Sequence, residues 1–182
     1  MRRPILVVLA ACLAAGCGVP TEPTPRAIEP SVTIGAYEGP MGPASPGTAV
    51  ERLYLVRDNQ LVAVDRRVDA VPAPERQLEE LVSGPTQQER DRGLDSALVG
   101  TAFITGVQLR NGTAMVGLSR DNPIRNDEIL AFGQIVCTLT ARADVVGVRF
   151  VQEGRPMEVP RADGALTSDM LTDADYKTLI RL

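Results

Sequence analysis

Apolar and polar residues alternate along six short segments of the chain, and these segments form three pairs. Alternation with a period of two is typical of strands that bury one face. A two-residue turn separates the members of each pair, and Asn-Gly between such segments is a strong signal of a type I′ hairpin. The pattern therefore predicts three β-hairpins, which turn at Asp58-Asn59, Asn111-Gly112 and Glu153-Gly154.

The alternation in the second hairpin also predicts which of its side chains share a face. The expected sets are Phe103, Thr105, Val107 and Leu109 in the first strand and Ala114, Val116 and Leu118 in the second. An apolar sheet face of this kind needs a second layer to cover it.

Two other segments have the spacing of apolar residues that a helix needs. Pro74 suits the first turn of one helix, in which Leu78, Leu81 and Val82 form a stripe. A longer helix is predicted over residues 126–142, with Gly133 permitting close approach to a sheet. Its apolar side is expected to contain Ile129, Phe132, Gly133, Val136, Leu139 and Thr140.

A third, short helix is predicted to begin at Thr172, because Asp175 three residues later completes a start that resembles a capping box. Hairpins interleaved with helices indicate an α+β fold. We expect a single compact domain, in which a mixed or antiparallel sheet of hairpins is covered by the two main helices.

The polar stretch ELVSGPTQQERDRGLDSALVGT, residues 80–101, is interpreted as a bend between helices. Gly84 and Pro85 end the first helix, and Thr86 with Glu89 forms a capping box for a new turn that Gly93 ends. Two sets of side chains are then assigned, with Leu94, Ala97 and Leu98 in the core and Arg90, Asp91 and Arg92 in solvent.

Residues 1–16 have the layout of an export signal, with two arginines, an apolar run and then small residues. The apolar run of eleven residues reaches only about 17 Å as a helix, well short of a hydrocarbon core of roughly 30 Å. The segment LAAGC resembles a bacterial lipobox, although Ala14 stands three places before the cysteine where leucine is usual. The resemblance implies cleavage after Gly16 and lipidation of Cys17, and the alternative is an ordinary secretory signal with an incidental cysteine.

A tether is predicted to follow, over residues 17–48. Seven prolines and five glycines lie between Gly18 and Thr48, without apolar periodicity, so this stretch cannot bury enough surface to offset its ordering entropy. Residues 49–182, about 130 residues, have the size of one domain with a single core. A domain lifted from a membrane on a disordered stalk is the predicted organisation.

The charge of the mature chain excludes one class of partner. Removing Arg2 and Arg3 from the 19 basic residues leaves 17 against 23 acidic residues, a net charge of −6. Phosphate binding needs a basic face, so nucleic acid is not an expected partner. Cys12 would leave with the signal and Cys17 would carry the lipid that the lipobox resemblance implies, so Cys137 is expected to have no partner for an internal disulfide.

The chain has no histidine, which excludes catalytic triads and imidazole metal sites. A serine–lysine pair would need Lys177, and no S-x-x-K spacing leads to it. Cys137 lies in an apolar helix without an activating base and is interpreted as a buried hydrophobe. Asp173 and Asp175 lack the other ligands of a calcium loop and fit helix capping better. We therefore predict no catalytic residue, no metal ligand and no cofactor.

From Ala49 to Pro160 the sequence resembles the GerMN domain of sporulation and spore germination, especially its lipoprotein forms from actinobacteria. The residues that carry the resemblance are LYLVRDNQLVAVDRRV, LEELVSGPTQQERDRGLDSAL, AMVGLS, QIVCTLT and VGVRFVQEGRPMEVP. Members commonly have aspartate at the position of Gly117, so this chain lacks a capping or turn contact there.

The resemblance implies a compact α+β domain related to the ring-building folds of sporulation complexes, with no catalytic residues to carry over. The leading hypothesis is a non-enzymatic protein, anchored through Cys17 on the outer face of the cytoplasmic membrane and docking on an envelope protein or wall component. Hairpin edges offer backbone groups for such docking. The alternative hypothesis is a small-ligand or solute-binding lipoprotein, and the sequence assigns no binding residues for either.

Overall fold

The computed structural model of the protein describes residues 47–120 and 128–181. The predicted signal, the lipidation site Cys17 and nearly all of the tether lie outside these residues. The first two residues of the predicted helix 126–142 do so as well.

The first hairpin forms as the alternation predicts. Strand β1 (Ala49–Arg57) pairs antiparallel with strand β2 (Gln60–Val68) over its whole length. The turn residues Asp58 and Asn59 have φ of 53° and 61°. Positive φ at both positions is what a type I′ turn requires, and its twist matches that of the flanking strands.

The bend over residues 80–101 is confirmed. Helix α1 (Pro74–Ser83) ends at Gly84, whose φ of 84° and ψ of −173° lie in a region open almost only to glycine. Helix α2 (Gln87–Asp91) begins with the predicted capping box, in which Thr86 Oγ1 accepts from the N–H of Glu89 and the Glu89 carboxylate accepts from the N–H of Thr86. Beyond the capping box, Leu94 and Leu98 are buried as predicted, and Ala97 is partly buried against the core. Arg90, Asp91 and Arg92 are exposed, as predicted.

The second hairpin pairs strand β3 (Ile104–Arg110) with strand β4 (Thr113–Leu118), and it contains one departure from the prediction. A bulge interrupts the register between Ile104 and Gly106. Because the bulge adds one residue to β3, Ile104 pairs with Leu118 and Thr105 is exposed. The prediction that Thr105 shares the buried face of Val107 is therefore wrong.

Helix α3 (Glu128–Thr140) is more deeply buried than its apolar stripe suggests. Every residue from Leu130 to Leu139 is buried, so the expectation of one apolar side is too narrow. Gly133 confirms the predicted close approach, since a Cβ there would lie 2.9 Å from Leu61 Cδ1 and 3.0 Å from Tyr176 Cδ1. The helix is the centre of the core, and Phe132 on it contacts the rings of Phe103 and Phe150 edge-on.

The last third of the chain completes three sheets. The third predicted hairpin is present, as strand β5 (Gly147–Gln152), which is parallel to β4, and strand β6 (Arg155–Pro156). Strands β7 (Val159–Pro160) and β8 (Leu166–Thr167) form a small separate sheet. The helix predicted from Thr172 is a 3₁₀ helix (Asp173–Leu179), and strand β9 (Ile180–Arg181) then pairs parallel with β2.

The α+β class and the single compact domain are as predicted for these residues. The hairpins are divided between a sheet of order β1-β2-β9 and a sheet of order β3-β4-β5-β6, with the β7-β8 pair apart. Helix α3 contacts strands of all three sheets. Burial of the helix on every side follows from this central position.

Candidate functional site, a groove beside strand β3

One hairpin edge that could dock a partner is closed by the fold. The outward backbone groups of β1 are bonded by side chains of α3, since Gln134 Nε2 donates to the Tyr54 carbonyl at 2.9 Å and the Tyr54 N–H donates to Thr138 Oγ1 at 3.0 Å. Next to them, Val56 exchanges two backbone hydrogen bonds with Asp95. Strand β1 therefore has no free edge between Tyr54 and Val56.

Strand β3 lies at the edge of its sheet, and no strand pairs with its outer side in the described residues. Its two-residue turn makes Arg110 and Thr113 a hydrogen-bonded pair, so the N–H and C=O groups of Val107 and Leu109 point away from β4. In the described part of the chain no hydrogen bond outside the sheet ladders uses them. These groups are available to an added strand.

A groove of about 520 Å³ runs between this edge and helix α1, and we call it the α1–β3 groove. Leu78 and Val82 of the predicted helical stripe form one wall, and Ile104 and Val107 form the other. The bulge turns Thr105 out of the sheet face and brings Gly106, with φ of 151°, to the rim. The groove thus combines apolar walls with an unpaired strand edge.

The helical rim of the groove is acidic. Glu75 is exposed and forms no ion pair among the described residues. Arg76 forms two ion pairs, with the carboxylate of Glu79 at 3.2 Å and with that of Glu80 at 3.7 Å. Exposed pairs of this kind contribute little to stability, about 0–1 kcal/mol. The uncompensated carboxylate favours an occupant with a basic residue near its apolar side chains.

The two serines of the segment 80–101, Ser83 and Ser96, are not brought together with Lys177. Ser83 lines the groove, whereas Ser96 is buried and its hydroxyl donates to the Leu81 carbonyl at 2.7 Å. Lys177 lies on the 3₁₀ helix, and among the described residues no hydrogen bond or ion pair joins it to Ser83 or Ser96. Burial raises the pKa of the Cys137 thiol to about 12, which keeps it protonated and unreactive.

Of the two acidic residues assigned to helix capping, Asp175 is the one whose side chain accepts capping hydrogen bonds in the described residues. Asp175 accepts hydrogen bonds from the Thr172 N–H at 2.9 Å and from its hydroxyl at 3.2 Å. Over residues 47–120 and 128–181, no group of three or more acidic or cysteine side chains is close enough to hold a metal ion. Within the same ranges no helix has the length and apolar character to cross a membrane.

A largely buried cluster of carboxylates around Arg66 is absent from the sequence predictions. Its guanidinium donates to Glu80 at 2.5 Å and to Glu89 at 2.7 Å, and the buried Glu51 lies opposite it on β1. Both oxygens of Glu51 lack a hydrogen-bond partner. Burial and then the charge of Glu80 raise the pKa of Glu51. The signal was available, because Glu51 occupies the inward period-two position shared by Leu53 and Leu55.

In the same cluster, Arg66 and the N–H of Thr86 lower the pKa of Glu89 to about 2. The cluster joins the first hairpin to α1 and α2. None of its members lines the α1–β3 groove, and in the described residues its one ion pair with the lining is that of Glu80 with Arg76, at 3.7 Å. We therefore assign it a structural role.

Comparison with known proteins places this geometry in context. A profile of the Germane family, described as sporulation and spore germination, matches residues 45–158. The first GerMN domain of the sporulation protein GerM from Bacillus subtilis is similar at 25% identity and a TM-score of 0.57, over 70% of this chain and 99% of that one. No curated protein matches the chain.

The tandem GerMN domains of the same Bacillus subtilis protein are similar at 24% identity with a TM-score of 0.54. This likeness covers 70% of the present chain and 47% of the tandem structure. The chain thus spans about half the length of that structure.

Proposed function

The chain belongs to the Germane family of sporulation and spore germination, and from this membership we propose that it is a non-enzymatic interaction domain of the cell envelope. Lipid on Cys17 anchors it to the outer face of the cytoplasmic membrane, and residues 18–48 form the tether. The observation that supports the interaction role is the free edge of β3 beside the apolar walls of the α1–β3 groove.

The partner in this proposal is an extended segment of an envelope protein. Its backbone pairs with the outward groups of Val107 and Leu109, and its alternate side chains enter the groove between Val82 and Ile104. Main-chain hydrogen bonds supply affinity in this mode, and the pockets supply specificity. Glu75 on the rim selects segments that carry a basic residue.

Site-specific photo-crosslinking in intact cells tests the proposal. The crosslinking amino acid p-benzoylphenylalanine replaces Ser83, which is exposed and lines the groove. The matched control carries it at Arg92, which is exposed at the end of α2. We expect one envelope protein to be crosslinked from position 83 and not from position 92.

Two outcomes would overturn the docking role. Equal crosslinking from both positions would mean that the groove is not the contact surface. A small molecule that co-purifies with the full chain, with no protein crosslinked from position 83, would establish the alternative of a solute-binding lipoprotein.

A further inference from the structure

Strand β2 has a second edge, on the side away from β1, and more than half of this edge pairs with no strand in the described residues. Strand β9 pairs only with Leu61 and Val62. From Ala63 to Val68, no strand in the described part of the chain pairs with β2 on the side away from β1. This edge is separate from the α1–β3 groove, so the inference drawn from it and the proposed function can fail independently.

The register of the hairpin determines which backbone groups this edge presents. The two-residue turn makes Arg57 and Gln60 a hydrogen-bonded pair, so the even-numbered residues of β2 bond to β1. The N–H and C=O groups of Ala63, Asp65 and Arg67 therefore point outward. The same parity explains why Tyr54 and Val56 are the β1 residues that bond away from the hairpin.

The side chains at these three positions are all exposed, and they present a small residue, an acid and a base in turn. Asp65 accepts two hydrogen bonds from Arg52, at 2.7 and 2.8 Å. Its carboxylate has room for a further donor, since two oxygens offer about four acceptor sites. Arg67 forms no ion pair with any residue that the structure describes.

This order of charges is complementary to itself in the antiparallel direction. If Asp65 of one chain lies opposite Arg67 of another, the twofold axis places Arg67 of the first opposite Asp65 of the second. Because only alternate residues point their backbone groups outward, the neighbouring registers differ by a shift of two residues. They place Asp65 against Asp65, or Arg67 against Arg67. A shift that pairs Ala63 with Asp65 would bring Arg67 against Leu61, which β9 already covers. One register alone therefore pairs opposite charges on the free part of the edge.

We infer that β2 pairs with β2 of a second copy of this chain, antiparallel about a twofold axis, with Asp65 opposite Arg67 at both ends of the contact. The pairing joins two three-stranded sheets into one continuous sheet. Arg66 meets its counterpart at the axis, and each is already neutralised by Glu80 and Glu89. Self-complementary contact of one patch is the property of a twofold dimer.

The test reverses the two charges separately and then combines the variants. In Arg67→Asp the contact opposes two acids, and in Asp65→Arg it opposes two bases. Each variant alone is expected to associate about tenfold or more weakly than the unmodified chain, because like charges directly opposite destabilise a strand pair at two symmetric places. An equal mixture of the two variants restores both opposite pairs and is expected to form a heterodimer.

Sedimentation velocity of the full chain in detergent micelles measures the association. Arg92→Asp is the matched control, since it removes the same charge at an exposed position away from the edge. We expect a dimer for the unmodified chain, the control and the mixture, and a monomer for each charge reversal. An unmodified chain that sediments as a monomer would overturn the inference, and so would single reversals that remain dimeric.

Discussion

Gln134 and Tyr54 are joined by a hydrogen bond of 2.9 Å from the side-chain amide to the backbone carbonyl, between residues 80 positions apart in the chain. The other side of the same amide accepts from the N–H of Ala97 at 2.7 Å. One side chain on the central helix thus closes the edge of β1 and holds the loop before β3.

Replacement of Gln134 by leucine should destabilise the domain by about 2–4 kcal/mol, because it leaves two partly buried backbone groups without partners. Urea denaturation followed by circular dichroism measures the change. Gln88→Leu is the control, since Gln88 is exposed on α2. If both variants unfold at the same urea concentration as the unmodified chain, the amide does not stabilise the β1 edge.

Replacement of Glu51 by glutamine should raise the free energy of unfolding at pH 7, on the order of 1 kcal/mol, because an amide can be buried without a charge. The pKa of Glu51 is raised in the folded state, so its contribution to stability is present below the unfolded pKa of about 4.5 and is lost as pH rises through the folded pKa. The variant should lack this loss.

Urea denaturation at a series of pH values from 4 upward tests that dependence. Glu158→Gln removes an exposed carboxylate and should leave the curve of the unmodified chain unchanged. A Glu51→Gln curve that keeps the original pH dependence would show that Glu51 is not the group responsible.

The pKa of Glu89 is shifted downward, opposite to that of Glu51, so its contribution to stability should depend on pH in the opposite direction. It is lowered to about 2 by the Arg66 guanidinium, so its contribution is present above the unfolded pKa of about 4.5 and is lost as pH falls toward 2. Glu89→Gln should destabilise the domain at pH 7 by about 2–3 kcal/mol and flatten the acid limb of the stability curve. Unchanged acid unfolding in the variant would contradict this role.

Replacement of Gly84 by valine should destabilise the domain by about 1–3 kcal/mol. Its φ of 84° is poorly tolerated by β-branched residues, and a Cβ there would lie 2.7 Å from Val99 Cγ2. The thermal midpoint measures the loss. Ser83→Val introduces the same side chain one position earlier and should have a smaller effect, so equal midpoints for the two variants would argue against the bend.

Replacement of Cys17 by alanine should release the protein into the medium or leave an unprocessed precursor, because the acyl chains supply the membrane affinity. Fractionation of cells followed by immunoblotting measures the distribution. Cys12→Ala, within the predicted signal, should remain anchored like the unmodified chain. Tight membrane association of Cys17→Ala would refute the lipidation site.

The features that the sequence predicted involve residues close together in the chain, whereas the features that it did not predict join distant segments. The turn at Asn111-Gly112 and the capping box of Thr86 and Glu89 involve neighbouring residues, and both are found as predicted. The α1–β3 groove joins Leu78 to Val107, and nothing near either residue indicates the other. The bulge at Thr105 was missed because an extra residue leaves the alternation on both sides intact.

By itself the sequence determined the three hairpins, the end of α1 at Gly84 and the burial of Cys137, because neighbouring residues and local apolar character set these features. Only the tertiary structure decided that Gln134 and Thr138 close the β1 edge, that β3 keeps its edge beside α1, and that Glu51 is buried opposite Arg66. Those features depend on which distant segments meet, and the order of packing around α3 brings them together.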